Sequence, residues 1–162
     1  MQETDSTGKL IIVCGLPGSG KTTHARQLEA KLRGLRLCPD EWMDALSIDI
    51  WDEARRAKIE ALQWELGQQF LALSGTVIIE WGTWGRSERD ALRERARQLG
   101  VRVELHYLTA PVDVLFGRIQ RRQLETPPVT REQLQQWAKA FQEPTAQEEA
   151  LFDNALRPQI SA

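Results

Sequence analysis

Hydrophobic residues are concentrated in four short segments of this chain, and amphipathic stretches separate them. The segments are rich in leucine and β-branched residues and lie at Leu10 to Cys14, Leu35 to Cys38, Thr76 to Glu80 and Val101 to Leu108. Strands that alternate with helices form βαβ units, whose strands run parallel. The pattern therefore predicts an α/β fold of three layers, in which a mainly parallel sheet has helices on both faces.

The amphipathic stretches give the positions of the helices. The first helix is predicted to end at Arg33, and later helices are predicted from Ser87 to Gly100 and from Val112 to Gln123. Two capping boxes, which begin at Thr130 and Thr145, predict further helices. A helical region is therefore expected late in the chain, after the last of the four strands.

A longer amphipathic stretch precedes the third predicted strand. It is predicted to form a helix that ends at Ser74. Its apolar residues recur at helical spacing and predict one buried stripe, which consists of Ile59, Leu62, Leu66, Phe70 and Leu73. The chain after Phe152 has no comparable pattern, and we expect it to be irregular.

Length and composition are typical of one globular domain that spans residues 1–162. The chain is 41% hydrophobic and 27% charged, and its formal net charge of −2 lacks the basic excess of a nucleic-acid scaffold. Within this domain, residues 1–8 are expected to be flexible, and residues 113–143 are expected to form a helical lid.

The cysteines and the start of the chain indicate the compartment. Cys14 and Cys38 lie in apolar strand patterns and are expected to be reduced and buried. The polar segment Met1 to Lys9 lacks the features of a targeting peptide. No apolar run approaches the roughly 18 residues that a membrane span needs. We therefore expect a cytoplasmic protein without a membrane partner.

A phosphate-binding motif follows the first predicted strand. The segment Gly15 to Thr22 matches G-x-x-x-x-G-K-[ST] and lies between that strand and a helical pattern. In such a loop the backbone N–H groups surround a phosphate, Lys21 reaches the β- and γ-phosphates, and the Thr22 hydroxyl coordinates Mg²⁺. The motif predicts binding of ATP, with GTP as the alternative, together with Mg²⁺. The expected nucleotide-binding residues are Gly15, Pro17, Gly18, Ser19, Gly20, Lys21, Thr22 and Thr23.

Carboxylates follow the second and third predicted strands, at the sheet edge where ligands bind in α/β folds. Asp40 is expected to be the base that accepts a proton from an attacking hydroxyl, and a helix N-cap is the alternative. Glu80 is expected to organise magnesium or to orient the acceptor, and a structural role is the alternative.

Tryptophans occur beside the same strand ends. Trp42 follows the second strand, and Trp81 and Trp84 follow the third. They predict an aromatic wall for the ring of an acceptor, although packing in the core is the alternative for each of them. Three other tryptophans lie on helical patterns and are expected only to pack; they are Trp51, Trp64 and Trp137.

Arginines are predicted to complete the phosphate site. Arg118 and Arg122 stand at i and i+4 and share one helix face. They are expected to belong to a mobile lid and to neutralise charge on the transferred phosphoryl group. A solvated basic face is the alternative. Arg86 and Arg89 lie near the start of another helix, where they could contact an anionic acceptor.

Taken together, these segments resemble the small P-loop kinases. The resemblance covers roughly Lys9 to Phe152 and rests on GLPGSGKTTHARQL, CPDEW, VIIEWGTWGRSERDALRERARQLG, VELHYLTAPVDVLFGRIQRR and FQEPTAQEE. The group includes the 5′-hydroxyl polynucleotide kinase domain, the zeta-toxin-like kinases and chloramphenicol phosphotransferase. The chain looks most like the bacterial proteins described as AAA-type ATP-binding proteins. The resemblance implies a sheet whose first strand is central, and phosphoryl transfer from ATP to a hydroxyl.

Single positions carry the family's functional residues. Asp40 matches the base of the family, and Glu80 falls where the family has an aspartate at the end of the third strand. Arg118 and Arg122 match the lid pair. Met43, however, stands where polynucleotide kinases have an arginine, and the tryptophan-rich loop after Glu80 is also unlike theirs. A small, ring-bearing acceptor therefore fits better than a nucleic acid.

These observations favour an ATP-dependent kinase whose acceptor is a hydroxyl of a small molecule. The alternatives are a 5′-hydroxyl polynucleotide kinase and a nucleotide-dependent switch or ATPase without an acceptor. We expect a monomer or a homodimer. The expected catalytic residues are Lys21, Asp40, Arg118 and Arg122; Thr22 and Glu80 are the expected magnesium residues; and Asp40, Trp42, Trp81, Trp84 and Arg86 are the expected acceptor-binding residues.

Overall fold

A parallel five-stranded sheet forms the centre of the protein in the computed structural model, which describes residues 7–160. The strands lie in the order β2-β3-β1-β4-β5, and each neighbouring pair is parallel. The first strand is central, as expected from the resemblance, because it pairs with both β3 and β4. The strands are β1 (Lys9–Cys14), β2 (Leu35–Leu37), β3 (Thr76–Gly82), β4 (Arg102–Tyr107) and β5 (Asn154–Leu156).

Helices connect the strands and cover both faces of the sheet. Successive side chains of a strand point to opposite faces. Leu10 and Ile12 of β1 accordingly belong to a buried cluster with Leu92, and Ile11 belongs to a second cluster with Ala25. The predicted three-layer α/β fold is confirmed. The helices of the described residues are α1 (Lys21–Leu32), α2 (Pro39–Ala45), α3 (Glu53–Ala72), α4 (Arg86–Gln98), α5 (Val112–Arg122), α6 (Arg131–Ala140) and α7 (Ala146–Glu149).

The predicted buried stripe of α3 is correct for Ile59 and wrong for its three leucines. Leu62, Leu66 and Leu73 are 57%, 40% and 80% exposed. The face that packs on the sheet is instead formed by Ile59, Gln63, Gly67 and Leu71. Gly67 explains the difference, because a Cβ at this position would lie 3.1 Å from Leu37 Cδ1 and 3.4 Å from Val77 Cγ1. The helix thus turns its smallest residue toward β2 and β3, and three leucines remain at the surface.

The expectation of an irregular chain after Phe152 is also wrong. Residues Asn154–Leu156 form β5, which pairs with β4 at the edge of the sheet. The Asp153 carboxylate anchors the entry to this strand, since it accepts a hydrogen bond of 2.7 Å from the backbone N–H of Val103. A strand of three residues is too short to give a readable alternation.

The start of the chain was expected to be flexible over residues 1–8. Residues 1–6 lie outside the described residues. Gly8 is buried, and its carbonyl accepts a hydrogen bond of 3.1 Å from the backbone N–H of Arg102. Among residues 7–160, no helix combines the length and the apolar character that crossing a bilayer requires.

A buried ion pair connects α4 to the late helices. Arg89 and Glu148 are 0% and 1% exposed, and the Arg89 Nε donates a hydrogen bond of 2.6 Å to Glu148 Oε1. The guanidinium also donates to the carbonyls of Thr83 at 2.8 Å and Gln142 at 2.7 Å. The possible contact of Arg89 with an acceptor is therefore excluded. The backbone N–H of Glu148 donates to the side chain of Thr145, as in the predicted capping box, but the Glu148 carboxylate pairs with Arg89.

We expect the Arg89→Met variant to lose about 3–5 kcal/mol of unfolding free energy, because it leaves the buried Glu148 carboxylate with only the more distant Arg86, at 3.9 Å, as a cationic neighbour. Chemical denaturation monitored by circular dichroism measures the loss. The control is Arg55→Met, which removes an exposed pair with Asp52 and should cost less than about 1 kcal/mol. Equal losses in the two variants would contradict this role for Arg89.

Candidate functional site

A cavity of about 1100 Å³ opens at the carboxyl ends of β1, β2 and β3. The loop between β1 and α1 forms one side of it, and Asp40 at the start of α2 lines it as well. Residues from α3, α4, α5 and α6 enclose the remaining space. This is the location at which α/β folds bind their ligands.

The glycine-rich loop is closed on itself at the start of α1. The Lys21 Nζ donates a hydrogen bond of 3.0 Å to the Leu16 carbonyl, and the Ser19 N–H donates to the same oxygen at 3.2 Å. Gly18 has a φ of +79°, and a Cβ there would lie 2.7 Å from the Leu115 carbonyl oxygen. The loop therefore requires glycine at this position, both for its backbone conformation and for its contact with α5.

Most of the predicted nucleotide-binding residues face the cavity. Gly15 and Ser19 do not line it; they lie beneath the loop, where the Gly15 N–H donates a hydrogen bond of 3.3 Å to the Gly82 carbonyl. The buried Ser19 Oγ has no hydrogen-bond partner among the described residues. The residues of the loop that line the cavity are Pro17, Gly18, Gly20, Lys21, Thr22 and Thr23.

The surroundings of Lys21 disfavour the charged form of its amine. Burial, and next the nearby charge of Arg122, lower the pKa of its amine to about 8. The negative charges of Asp40 and Glu80 oppose this shift only in part. An anion such as a triphosphate would supply the missing counter-charge, so this lysine is suited to phosphate binding.

Glu80 connects the phosphate loop to β2. Its carboxylate is 6% exposed; Oε1 accepts a hydrogen bond of 2.8 Å from Thr22 Oγ1, and Oε2 accepts one of 3.1 Å from Arg36 Nη1. A hydroxyl beside one carboxylate fits Mg²⁺, which prefers oxygen ligands and takes few of them from a protein. Thr22 and Glu80 are therefore the residues that could hold this ion.

Sequence reasoning missed Arg36. Its guanidinium, which is largely buried, also pairs with Glu29 at 3.1 Å and with Glu41 at 2.6 Å. The residue belongs to β2 and stands beside Ile78 of β3 in the sheet. A largely buried cation in a strand needs a partner, and this signal could have connected it with Glu80.

Asp40 lines the cavity but is not a helix N-cap. Cys38 is the N-cap residue of α2, and Asp40 follows Pro39 within the first turn. Its Oδ1 lies 2.7 Å from Nη1 of Arg56, a residue of α3 that also lines the cavity. Arg56 was not anticipated, because the packing of α3 on α2 brings the two residues together.

The tryptophans divide differently from the expectation. Trp42 packs against the sheet core and is not among the residues that line the cavity, so the structure does not bring it together with the other predicted acceptor-binding residues. The three tryptophans that were expected only to pack also line the cavity. Trp64 is carried there by α3 and Trp137 by α6, whereas Trp51 lies in the turn before α3 and not on a helix. The cavity-lining tryptophans are Trp51, Trp64, Trp81, Trp84 and Trp137.

The arginines of α5 lie beside the phosphate loop. Arg118 donates hydrogen bonds to the carbonyls of Gly18 at 3.1 Å and Ile160 at 3.2 Å. Arg122 lines the same cavity and pairs with Glu125. Both predicted lid residues thus occupy positions from which they could reach a bound phosphate.

Arg86 does not line the cavity, so the structure does not bring it together with the other predicted acceptor-binding residues. Its Nε lies 3.1 Å from Asp90 Oδ2, one helical turn further along α4. Its backbone N–H donates a hydrogen bond of 2.7 Å to Gln142 Oε1. Because α4 begins at this residue, the side chain follows the helix and turns away from the acceptor space.

Comparisons with known proteins agree with this geometry. A family model described as AAA domain matches residues 10–144. A presumed kinase from Chloroflexus aurantiacus j-10-fl is similar in structure, with a TM-score of 0.71, 24% identity and coverage of 93% of this chain and 87% of that one. No protein of curated function matches the sequence.

Two further solved structures have the same fold at lower identity. Kti12 of Chaetomium thermophilum, in complex with ADP-AlF3, has a TM-score of 0.68 at 21% identity, over 92% of this chain and 88% of its own. A gluconokinase from Sinorhizobium meliloti 1021 has a TM-score of 0.60 at 18% identity, over 94% and 81%. The fold is that of the small P-loop kinases.

We expect the binding of magnesium-loaded ATP near pH 8 to take up a proton. The free Lys21 amine has a pKa of about 8 and is partly neutral there, whereas triphosphate oxygens favour its charged form and raise the pKa. Near pH 6 the amine is already charged, so uptake should disappear. Calorimetry in buffers of different protonation enthalpy measures the effect.

The control for this experiment is Lys31→Met, which changes an exposed lysine of the same helix. This variant should keep the full proton uptake. If the unaltered protein binds ATP near pH 8 without taking up a proton, Lys21 does not contact the phosphates.

Proposed function

Because the chain belongs to the AAA domain family, we propose that it is an ATP-dependent kinase, which moves the γ-phosphoryl group of ATP to a hydroxyl group of a small molecule. One observation carries the proposal. Lys21 and Thr22 of the phosphate loop line the same cavity as Asp40, and a tryptophan-lined space adjoins them. A cavity that continues beyond the phosphate site has room for a second substrate, which a simple nucleotide switch does not need.

The cations of the site have a role in binding and neutralising phosphate. Lys21 belongs to the loop, and Arg118 and Arg122 approach it from α5. Phosphoryl transfer is catalysed mainly by positioning and by stabilising charge on the phosphoryl oxygens, and these three residues supply positive charge on two sides. Their hydrogen bonds to the loop carbonyls of Leu16 and Gly18 keep Lys21 and Arg118 in place before a ligand arrives.

Thr22 and Glu80 are the proposed residues for Mg²⁺, which would screen the charge of the β- and γ-phosphates when bound. Arg36 holds the Glu80 carboxylate from the other side, at 3.1 Å. It thereby orients the carboxylate so that its other oxygen, Oε1, faces Thr22.

Asp40 is the proposed base. Its carboxylate lies on the acceptor side of the cavity, and Arg56 orients it through a contact of 2.7 Å. A carboxylate in this place can accept the proton that the acceptor hydroxyl loses as its oxygen attacks the γ-phosphorus.

The Asp40→Asn variant should lose phosphoryl transfer by about 100-fold or more, because an amide cannot accept the proton. Its affinity for ATP should stay within about twofold, since Asp40 lies outside the phosphate loop. Acceptor-dependent ADP release measures the transfer, in a screen of sugars, amino sugars, nucleosides and oligonucleotides. The control is Asp44→Asn, an exposed residue of the same helix that does not line the cavity.

Two outcomes of this screen would contradict the proposal. A slow ATPase activity that no acceptor changes would favour the nucleotide switch. Phosphorylation of oligonucleotide ends alone would favour the polynucleotide kinase.

The Glu80→Gln variant should need about 10- to 100-fold more Mg²⁺ for half-maximal ATP binding, because it removes the charge that helps to hold the ion. Titration of magnesium at fixed ATP, followed by tryptophan fluorescence, measures this shift. Glu29→Gln is the control, since Glu29 also pairs with Arg36 but does not line the cavity. An equal shift in both variants would mean that Glu80 acts only by holding Arg36.

A further inference from the structure

The cavity has opposite charge at its two ends. Cationic side chains predominate at the end at the phosphate loop, where Glu80 and Glu125 are the carboxylates; they are Lys21, Arg26, Arg118 and Arg122. Carboxylates predominate at the other end, between α2, α3 and α4; they are Asp40, Glu53, Glu60 and Glu88. The first end suits the polyanionic nucleotide, whereas the second would repel an anion.

Three of these carboxylates have no cationic partner within the described residues. Asp40 forms an ion pair with Arg56, which is the only cation lining this end in the part of the chain that the structure describes. Glu53, Glu60 and Glu88 form no ion pair there. Burial, opposed in part by the charge of Arg56 and aided by the charges of Glu88, Glu53 and Asp40, raises the pKa of Glu60 to about 7. Like charges thus meet at a half-buried position where one arginine compensates them only in part.

Aromatic faces surround the same space. Trp137 lies between Trp51 and Trp84, with ring centroids 6.1 Å and 5.8 Å apart. Trp64 and Trp81 meet edge to face at 6.3 Å. The face of an indole attracts cations, and tryptophan does so most strongly of the aromatic side chains. Tryptophans combined with carboxylates are the surroundings that recognise an organic ammonium group.

Buried polar atoms in this wall also lack partners. Thr83 is 4% exposed and lines the cavity, and its Oγ1 has no hydrogen-bond partner among the described residues. The Trp51 Nε1 lacks one in the same sense. Thr83 moreover has a φ of +46°, a strained conformation for a β-branched residue. Buried polar atoms are nearly always satisfied, and the hydroxyl groups of a ligand could satisfy these two.

We propose that the phosphoryl acceptor is a cationic, hydroxylated small molecule of the amino sugar or amino alcohol class, which is recognised by Glu60 and the tryptophans of the cavity. This inference rests on the proposed kinase function. The ammonium group lies among the carboxylates, and a hydroxyl group faces Asp40. Acceptors that carry negative charge are excluded by the repulsion of the same carboxylates.

The reaction that follows balances without any further reactant. The hydroxyl oxygen of the acceptor forms a bond to the γ-phosphorus, and the bond from that phosphorus to the β,γ-bridging oxygen breaks. The electron pair of the broken bond leaves with ADP. The hydroxyl proton passes to the carboxylate of Asp40.

Binding in the absence of nucleotide tests the inference apart from catalysis. Three sugars of similar shape are compared by tryptophan fluorescence and calorimetry: glucosamine, N-acetylglucosamine and glucuronate. Kanamycin and choline extend the range of amines. We expect at least one amine to bind about tenfold or more tighter than both the neutral and the anionic sugar.

Glu60→Gln supplies the matched variant. It should weaken amine binding by about tenfold and leave ATP affinity unchanged, because Glu60 lies at the end of the cavity away from the phosphate loop. Glu65→Gln is the control, since Glu65 belongs to the same helix but is exposed and does not line the cavity. Choline keeps its charge at all pH values, so its binding should strengthen as the pH rises through about 7 in the unaltered protein and stay constant in Glu60→Gln.

The inference is overturned if the neutral or anionic sugar binds as well as the amines, or if no amine binds while ATP still does. ADP release then separates the two proposals. A neutral or anionic acceptor that is phosphorylated contradicts the cationic acceptor and leaves the kinase intact. Amines that bind through Glu60 but never raise ADP release support the ammonium site and contradict its role in binding the phosphoryl acceptor.

Discussion

The parallel pairing of β2, β3 and β1 is the constraint on which the site depends. Three strands that run in one direction must end at one edge, and each delivers a different group there. The phosphate loop follows β1, Asp40 follows β2, and Glu80 lies near the end of β3. None of these residues is close to the others in sequence. The sheet alone therefore brings the phosphate loop and two carboxylates into one cavity.

Hydrogen bonds from two arginines that do not line the cavity stabilise this edge of the sheet. Arg36 reaches from β2 to Glu80 of β3, and Glu80 in turn accepts the hydroxyl proton of Thr22 in a hydrogen bond. On the other side, Arg89 holds the carbonyl of Thr83, which follows β3, and connects it through Glu148 to α7. The two guanidinium groups thus hold the end of β3 to its surroundings. A site that is organised before its ligands arrive spends less binding free energy on ordering itself.

The sequence predicted what depends on short-range patterns. A glycine-rich loop between an apolar strand and a helix has few alternatives, and a carboxylate at the end of a buried strand is conspicuous. The side of a helix that faces the sheet depends on packing instead. The leucines of α3 predict one orientation of this helix, but the close packing of Gly67 on the sheet requires another. The observed orientation brings Trp64 and Arg56 to the cavity. The place of Arg86 outside the cavity lining was not predictable for a similar reason, because the position of a helix start relative to a cavity is a property of the whole fold.

The last described residue has a practical consequence. Ile160 lies over the phosphate loop, where its Cγ1 would be 2.8 Å from a Cβ at Gly20, and its carbonyl accepts a hydrogen bond from Arg118. A tag or fusion partner joined directly to Ile160 would therefore start beside the nucleotide site. Affinities measured with such a fusion would include the effect of the added chain.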